Sequence, residues 1–156
     1  MSEKRAWYED IVLPALLRHA RTTYGSAMRF ALEQAGYDDV PRNGLYVLGA
    51  MALGGEDVPL GDIIRSLHLS KQAAGQLVDT LVMRGYLERA VDPEDRRRLV
   101  VTLTERGKAA ATVQGEARDR IDTELIARAG ADDVAVLRRT LAQLIGIGRE
   151  AQNDPQ

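Results

Sequence analysis

The chain has 156 residues, of which 45% are hydrophobic, 28% charged and only 4% aromatic, and it contains no cysteine. This composition fits one soluble, mainly helical domain, and it excludes disulfides and thiol redox switches. The two histidines, His19 and His68, have no metal-ligand spacing, so we expect no metal site. A formal net charge of −2 does not by itself favour nucleic-acid binding.

Two helices are predicted in the first third of the chain. From Asp10 to Ala35, apolar residues recur at the three- and four-residue spacing of one helical face. Pro14 is tolerated in a first helical turn, and Gly36 is a suitable C-terminal stop. A second helix follows Pro41 and ends at Gly54.

Two shorter helices with a tight turn between them are predicted from Pro59 to Gly85. Ser70 follows the turn and is a good N-cap for the second helix, because its hydroxyl can accept a backbone N–H. This arrangement is typical of a helix-turn-helix. An ordinary helical hairpin without a DNA-binding role has the same pattern.

A β-hairpin follows, with strands predicted at Leu87–Val91 and Leu99–Leu103 around the turn-rich segment Asp92–Asp95. Val101 and Leu103 are expected to share the buried face of the second strand. At the tip stand three consecutive arginines, Arg96, Arg97 and Arg98. Adjacent guanidinium groups on a hairpin fit either a solvated surface or a probe of the electronegative DNA minor groove.

The last third contains two more amphipathic helices, separated by Gly130. Thr104 is expected to cap the first, and Asp132 or Asp133 the second. Together with the first helix they carry more apolar surface than one small lobe needs to cover. Either a partner subunit or an intramolecular helical bundle would bury these stripes, and a dimer also suits palindromic DNA.

The most specific motif is the run from Asp95 to Gly107, DRRRLVVTLTERG. It resembles the wing signature of the MarR family of transcriptional regulators, which reads Asp, any residue, Arg, five residues, Leu-Thr, two residues, Gly. Just before it, the segment Leu81–Arg89 is similar to the junction between recognition helix and wing in that family. The order of the predicted elements is similar over nearly the whole chain.

The resemblance implies a mainly α fold with a small β-wing in a single domain at about 1–150. Helices at about 8–36 and 105–150 would form the dimerisation region, and about 40–104 the winged helix-turn-helix lobe, with a flexible tail at 151–156. The implied function is that of a cytoplasmic, homodimeric DNA-binding regulator. As is usual in that family, the protein would be a repressor that acts on a pseudo-palindromic operator of double-stranded DNA.

The implied DNA-contacting residues lie on the recognition helix and the wing. On the helix, Gln72 and Gln76 can each form bidentate hydrogen bonds to adenine, and Lys71 can pair with phosphate or guanine. By resemblance, Arg97 reaches into the minor groove, and Asp95 steadies the wing through a salt bridge. The predicted helix set is Ser70, Lys71, Gln72, Gly75, Gln76 and Asp79, and the predicted wing set is Asp95, Arg96, Arg97 and Arg98.

The chain departs from the usual family pattern at two places. His68 stands where a glycine is usual, and it fits either a phosphate contact or a packed turn residue. Gly75-Gln76 stand where a serine or threonine followed by arginine is common; Gly75 would allow close approach of the helix backbone to DNA.

Many family members release DNA when a small aromatic or carboxylate-bearing effector binds near the first two helices. By resemblance, such a pocket would here be lined by His19, Tyr24, Met28 and Tyr46. Each of these residues fits an ordinary core position as well.

No nucleophile–base pair, paired carboxylates or phosphate-binding glycine loop is visible, so we predict neither an enzyme nor a bound cofactor. The alternative function is a winged-helix module that binds a protein partner without specific DNA binding. The weakly acidic net charge supports that alternative.

Overall fold

The computed structural model describes residues 6–54, 60–97 and 99–153. Its elements are α1 (Leu13–Gln34), α2 (Gly44–Gly54), α3 (Leu60–Ser66), α4 (Lys71–Met83), β1 (Leu87–Val91), β2 (Leu99–Leu103), α5 (Glu105–Ala129) and α6 (Ala131–Asn153). This confirms the predicted mainly α fold with a two-stranded wing. No helix among the described residues combines the length and apolar character needed to cross a bilayer.

Proline and glycine set the ends of α1. Pro14 lies in its first turn, where the backbone N–H that proline lacks would have no helical partner. At the other end Gly36 adopts φ +83°, and the N–H of Tyr37 donates to the carbonyl of Leu32 at 2.8 Å. This is the hydrogen-bonding pattern of a glycine-terminated helix, and it confirms the predicted stop.

The residues up to Arg118 form one compact unit with a single apolar core. Each element contributes to it, and its fully buried members include Leu32 of α1, Leu48 of α2, Leu81 of α4, Leu87 of β1 and Ala110 of α5. Burying a leucine side chain stabilises a fold by about 1.5–3 kcal/mol, so these contacts hold the helix-turn-helix and the wing in one lobe.

The wing is an antiparallel pair in which Leu87 lies opposite Leu103 and Arg89 lies opposite Val101. Directly opposite residues share a face of the sheet. Val101 and Leu103 pack against the core, as predicted from the alternation of β2.

A short junction ties the base of the wing to the start of α5. The carbonyl of Tyr86 accepts from the backbone N–H of Thr104 at 3.1 Å. The Thr104 hydroxyl accepts from the N–H of Gly107 at 3.0 Å, which confirms the predicted cap. A Cβ on Gly107 would lie 2.1 Å from the Tyr86 carbonyl oxygen, so only glycine fits this approach.

The residues from Asp119 onwards form a second compact unit, which contains the end of α5 and α6. The predicted caps of α6 are wrong, because the helix begins at Ala131 and both Asp132 and Asp133 lie within its first turn. Gly130 adopts φ +89°, so the chain turns at this residue and the helix begins directly after it, before either aspartate. There the two carboxylates still face the positive end of the helix dipole.

α6 continues to Asn153, three residues into the segment predicted as a flexible tail. Residues 154–156 lie outside the described residues. Several large apolar side chains of this helix remain exposed, namely Val136, Leu137, Leu144, Ile145 and Ile147.

Candidate nucleic-acid interface

Two polar residues, separated by Leu69, shape the turn before α4 and the N-terminus of α4. Ser70 has extended backbone angles, and its hydroxyl accepts from the backbone N–H of Ala73 at 3.1 Å, so it is the predicted N-cap. His68 is exposed and adopts φ +52°, the left-handed region that favours glycine. The backbone conformation of the turn therefore explains why glycine is usual at this position. His68 adopts the same conformation.

α4 has one buried and one exposed side. Leu77 and Leu81 are buried in the core. The predicted contact residues of this helix are all exposed: Lys71, Gln72, Gly75, Gln76 and Asp79. The structure thus presents a polar surface, hereafter the reading face, whose amide and ammonium groups can contact the edges of bases.

Gly75 lies in the middle of the reading face, and no atom lies within 4 Å of the position that its Cβ would occupy. Its φ is not positive. Neither the packing of the protein nor its backbone conformation therefore requires glycine here, although glycine lowers helix stability by about 1 kcal/mol relative to alanine.

The tip of the wing is built from two local turns closed by aspartates. Asp92 accepts from the backbone N–H of Glu94 at 2.9 Å, and Asp95 accepts from the N–H of Arg97 at 3.0 Å. Asp95 therefore shapes the loop that carries Arg97. The salt bridge by which Asp95 was expected to steady the wing remains a prediction. Arg96 and Arg97 are exposed, while Arg98 lies outside the described residues.

An ion pair that the sequence analysis missed connects the reading face to the wing. The guanidinium of Arg89 on β1 donates to Oδ1 of Asp79 on α4. The alternation of side chains between the two faces of β1 could have predicted this ion pair. Arg89 shares a face of β1 with the buried Leu87, so it points towards the side on which α4 packs.

A second missed cluster lies at the C-terminal end of α4. The phenol of Tyr86 donates to Oδ1 of Asp39, and the Arg106 guanidinium donates to the same oxygen at 3.1 Å and to the Tyr86 hydroxyl at 3.0 Å. The guanidinium carbon also lies 4.7 Å from the centre of the Tyr86 ring. Arg84, the C-cap of α4, donates to the Asp39 carbonyl.

The charges of this cluster shift the acid–base equilibria of its members. The hydrogen bond from Tyr86, with the positive charge of Arg106, lowers the pKa of Asp39. Burial and the hydrogen bond to Asp39 raise the pKa of Tyr86 to about 12. At neutral pH Asp39 and Arg106 are therefore charged, while the Tyr86 phenol keeps its proton and can donate to Asp39. The cluster ties the loop before α2 to the end of α4 and the start of α5.

The four residues predicted to line an effector pocket have different surroundings. Met28 is buried in the core, and Tyr24 and Tyr46 pack against it, whereas His19 is exposed on α1. The Arg21 guanidinium lies over the Tyr46 ring at 4.8 Å. An effector pocket at these residues remains a prediction. In the described part of the chain, no group of three or more His, Asp or Glu side chains is placed to hold a metal ion.

Comparison with known proteins bears on this lobe and on the whole fold. Residues 38–98 match the MarR family. No curated protein sequence matches the chain. A structure of an S. aureus MepR–DNA complex is similar with a TM-score of 0.69 and 19% identity, covering 88% of this chain and 98% of that one.

Two further structures support the same fold. Wild-type E. coli MarR in its apo form has a TM-score of 0.61 and 23% identity, with 86% of this chain and 97% of that chain covered. S. aureus MepR bound to ethidium bromide has a TM-score of 0.57 and 19% identity, with 88% and 97% covered. Residues 38–98, from the loop before α2 to the tip of the wing, match the MarR family, and the chain has the winged-helix fold of these structures.

Proposed function

We propose that the protein is a sequence-specific DNA-binding transcriptional regulator that acts as a homodimer on a pseudo-palindromic operator. The observation that carries the proposal is the exposed reading face of α4 beside a wing tip that presents Arg96 and Arg97. The similar MepR structure, which is a complex with DNA, supports a DNA-binding role for this lobe.

The two parts of the lobe have different tasks. On the reading face, Gln72 and Gln76 would read adenines in the major groove, and Lys71 would pair with phosphate or guanine. Arg97 would enter the minor groove, where the electrostatic potential is most negative, and Arg96 and Arg98 would contact phosphates. Phosphate contacts supply affinity and the base contacts supply sequence preference.

The homodimer is supported by apolar surface at both ends of the chain. In the first unit, Leu13 of α1 and Val12, the N-cap of that helix, are about two-thirds exposed, at 68% and 69%. In the second unit, Ile145 and Ile147 of α6 are exposed as well. A second copy would cover such side chains, and two recognition helices of a dimer suit half-sites about 34–36 Å apart.

We also propose that the protein represses transcription, acts by binding and not by catalysis, and is released from DNA by a small aromatic or carboxylate-bearing effector. The ethidium-bound MepR structure supports a small-molecule ligand for this fold. Tyr24, Met28 and Tyr46, with His19 at the surface of α1, are the residues we assign to that site.

The proposal is tested by a salt-dependent binding titration of the protein against duplex from its own upstream region and against random duplex. We expect tight, salt-sensitive binding to the upstream duplex. Arg97→Ala should weaken that binding and reduce its salt dependence, because a cation near the DNA backbone is removed. The control is Arg120→Ala, which removes the same charge from an exposed position on α5 and should change binding little.

Equal and weak binding of both duplexes would contradict the proposal and favour the protein-interaction module. An unchanged salt dependence in Arg97→Ala would show that the wing assignment is wrong.

A further inference from the structure

We infer that Asp79 selects cytosine at one position of each operator half-site, and that Arg89 positions its carboxylate for this contact. The inference rests on the proposed function and assigns a base to a predicted contact residue for which the sequence analysis names no partner on the DNA. It begins from the ion pair between the reading face and the wing.

Gln72, Gln76 and Asp79 form one stripe on the reading face, because they follow one another at spacings of four and three residues. The helix rises about 1.5 Å per residue, so the stripe is about 10 Å long. Successive bases of one strand are about 3.4 Å apart. The stripe therefore has the length needed to contact about three consecutive base-pair steps, with Asp79 at the end nearest to β1.

Asp79 is the only acidic residue of α4. A carboxylate on a surface that approaches phosphates costs binding energy unless it is neutralised or accepts a specific hydrogen bond. Arg89 neutralises it, yet the Asp79 side chain remains 67% exposed and that of Arg89 remains 43% exposed. Exposed ion pairs of this kind contribute little to folding stability, so stability alone does not explain the acid.

The chemistry of the carboxylate points to one base. An ionised aspartate only accepts hydrogen bonds, and in the major groove cytosine presents the N4 amino donor. Guanine presents the acceptors N7 and O6, and thymine presents O4, so both repel the carboxylate. Adenine presents its amino donor beside the acceptor N7, which makes it a poorer partner than cytosine.

Arg89 determines where the carboxylate points. Its guanidinium binds Oδ1, and its place on β1 is fixed by pairing with Val101 of β2. The strand register thus restrains the rotation of the Asp79 side chain. Arg89 is a positioning residue, and its loss should weaken the preference at the same base pair that Asp79 contacts.

The test uses the full-length protein and a set of operator duplexes in which each half-site position carries each of the four base pairs in turn. Wild type should prefer cytosine at one position by about tenfold, the discrimination typical of a well-formed base contact. Asp79→Asn keeps the shape of the side chain and should move that preference to adenine, with which asparagine forms bidentate hydrogen bonds. Arg89→Ala should reduce the cytosine preference at that position.

Glu88→Gln is the matched control, because it removes the same charge from an exposed residue next to Arg89 on the opposite face of β1. It should leave the base preference at every position unchanged.

Selective binding by wild type with identical base preferences in Asp79→Asn would overturn this inference and leave the proposed function intact. Equal binding of all duplexes by wild type would overturn both. A shift of preference in Asp79→Asn at a single position, absent in Glu88→Gln, would support the inference.

Discussion

At the scale of single residues, three side chains from distant parts of the sequence hold the lobe together behind α4. Tyr86 and Asp39 are 47 residues apart in the chain, and Asp39 and Arg106 are 67 apart. Because hydrogen bonds to charged groups are stronger than neutral ones, this cluster fixes the end of α4 against α5 more firmly than apolar packing alone.

Replacing Tyr86 with phenylalanine removes the phenol and keeps the ring. We expect Tyr86→Phe to lower the free energy of unfolding at neutral pH by about 1–2 kcal/mol, because two hydrogen bonds to charged partners are lost. Urea unfolding would measure the change. Tyr8→Phe, at an exposed tyrosine, should leave the free energy of unfolding unaltered.

The same variant should change the pH dependence of stability. The pKa of Tyr86 is raised from 10.0 to about 12 in the folded protein, so its contribution is complete below pH 10 and is lost as the pH rises towards 12. The stability difference between wild type and Tyr86→Phe should therefore shrink over this interval. The lowered pKa of Asp39 acts in the opposite direction: its contribution is present above the unfolded pKa of 3.8 and is lost as the pH falls through the lower pKa of the folded protein.

Residue roles that depend on local chemistry could be predicted from sequence. The cap by Ser70, the stop at Gly36 and the cap by Thr104 each involve partners within a few residues. The partners of Asp39 and Arg89 could not be predicted, because those contacts exist only once separate segments pack together.

At the scale of elements, α4 and the wing are the parts on which the proposed function depends. The bounds of β1 and β2 agree with the prediction residue for residue, since alternating apolar residues and a turn rich in aspartate and proline are strong local signals. The predicted start of α6 was wrong, because the conformation of Gly130 sets where the helix begins, and neither aspartate caps it.

The open space around Gly75 allows stability and DNA binding to be separated. Gly75→Ala should raise the free energy of unfolding by about 1 kcal/mol, since alanine is the better helix former and its methyl group meets no protein atom. The same methyl group should weaken operator binding, because it occupies the space that we assign to DNA. Thermal unfolding and operator titration of one preparation would measure both effects.

Gly61→Ala is the control for that prediction. Gly61 lies in α3 and also has open space around its Cβ position, so alanine there should be tolerated without loss of DNA affinity. Unchanged operator binding by Gly75→Ala would contradict close approach of the duplex at this position.

At the scale of the whole molecule, the fold class and the order of elements could be predicted, because they follow from apolar periodicity and from the run Asp95–Gly107. The division between dimerisation helices and winged lobe remains a prediction, since a single chain does not contain its partner.

The homodimer can be tested on α6. Ile147 is 65% exposed, and if a second copy covers it, Ile147→Glu should weaken dimerisation at least tenfold, because an unpaired charge would be buried. Sedimentation velocity over a range of concentrations would measure this. Leu53→Glu, at a 72% exposed position of α2, should leave the association unchanged. A monomeric wild type at every concentration would contradict the proposed dimer.

The two ends of the wing are held in different ways, and this has a mechanical consequence. Its base is fixed to α5 by the hydrogen bonds of Thr104 and by the close approach of Gly107 to Tyr86, whereas its tip is closed by the local turns of Asp92 and Asp95. Local turns open at lower free energy than contacts that span separate elements. The wing should therefore have a rigid base and an adaptable tip. In the proposed complex with DNA, this would let Arg97 follow variations in groove width while α4 keeps its position on the bases.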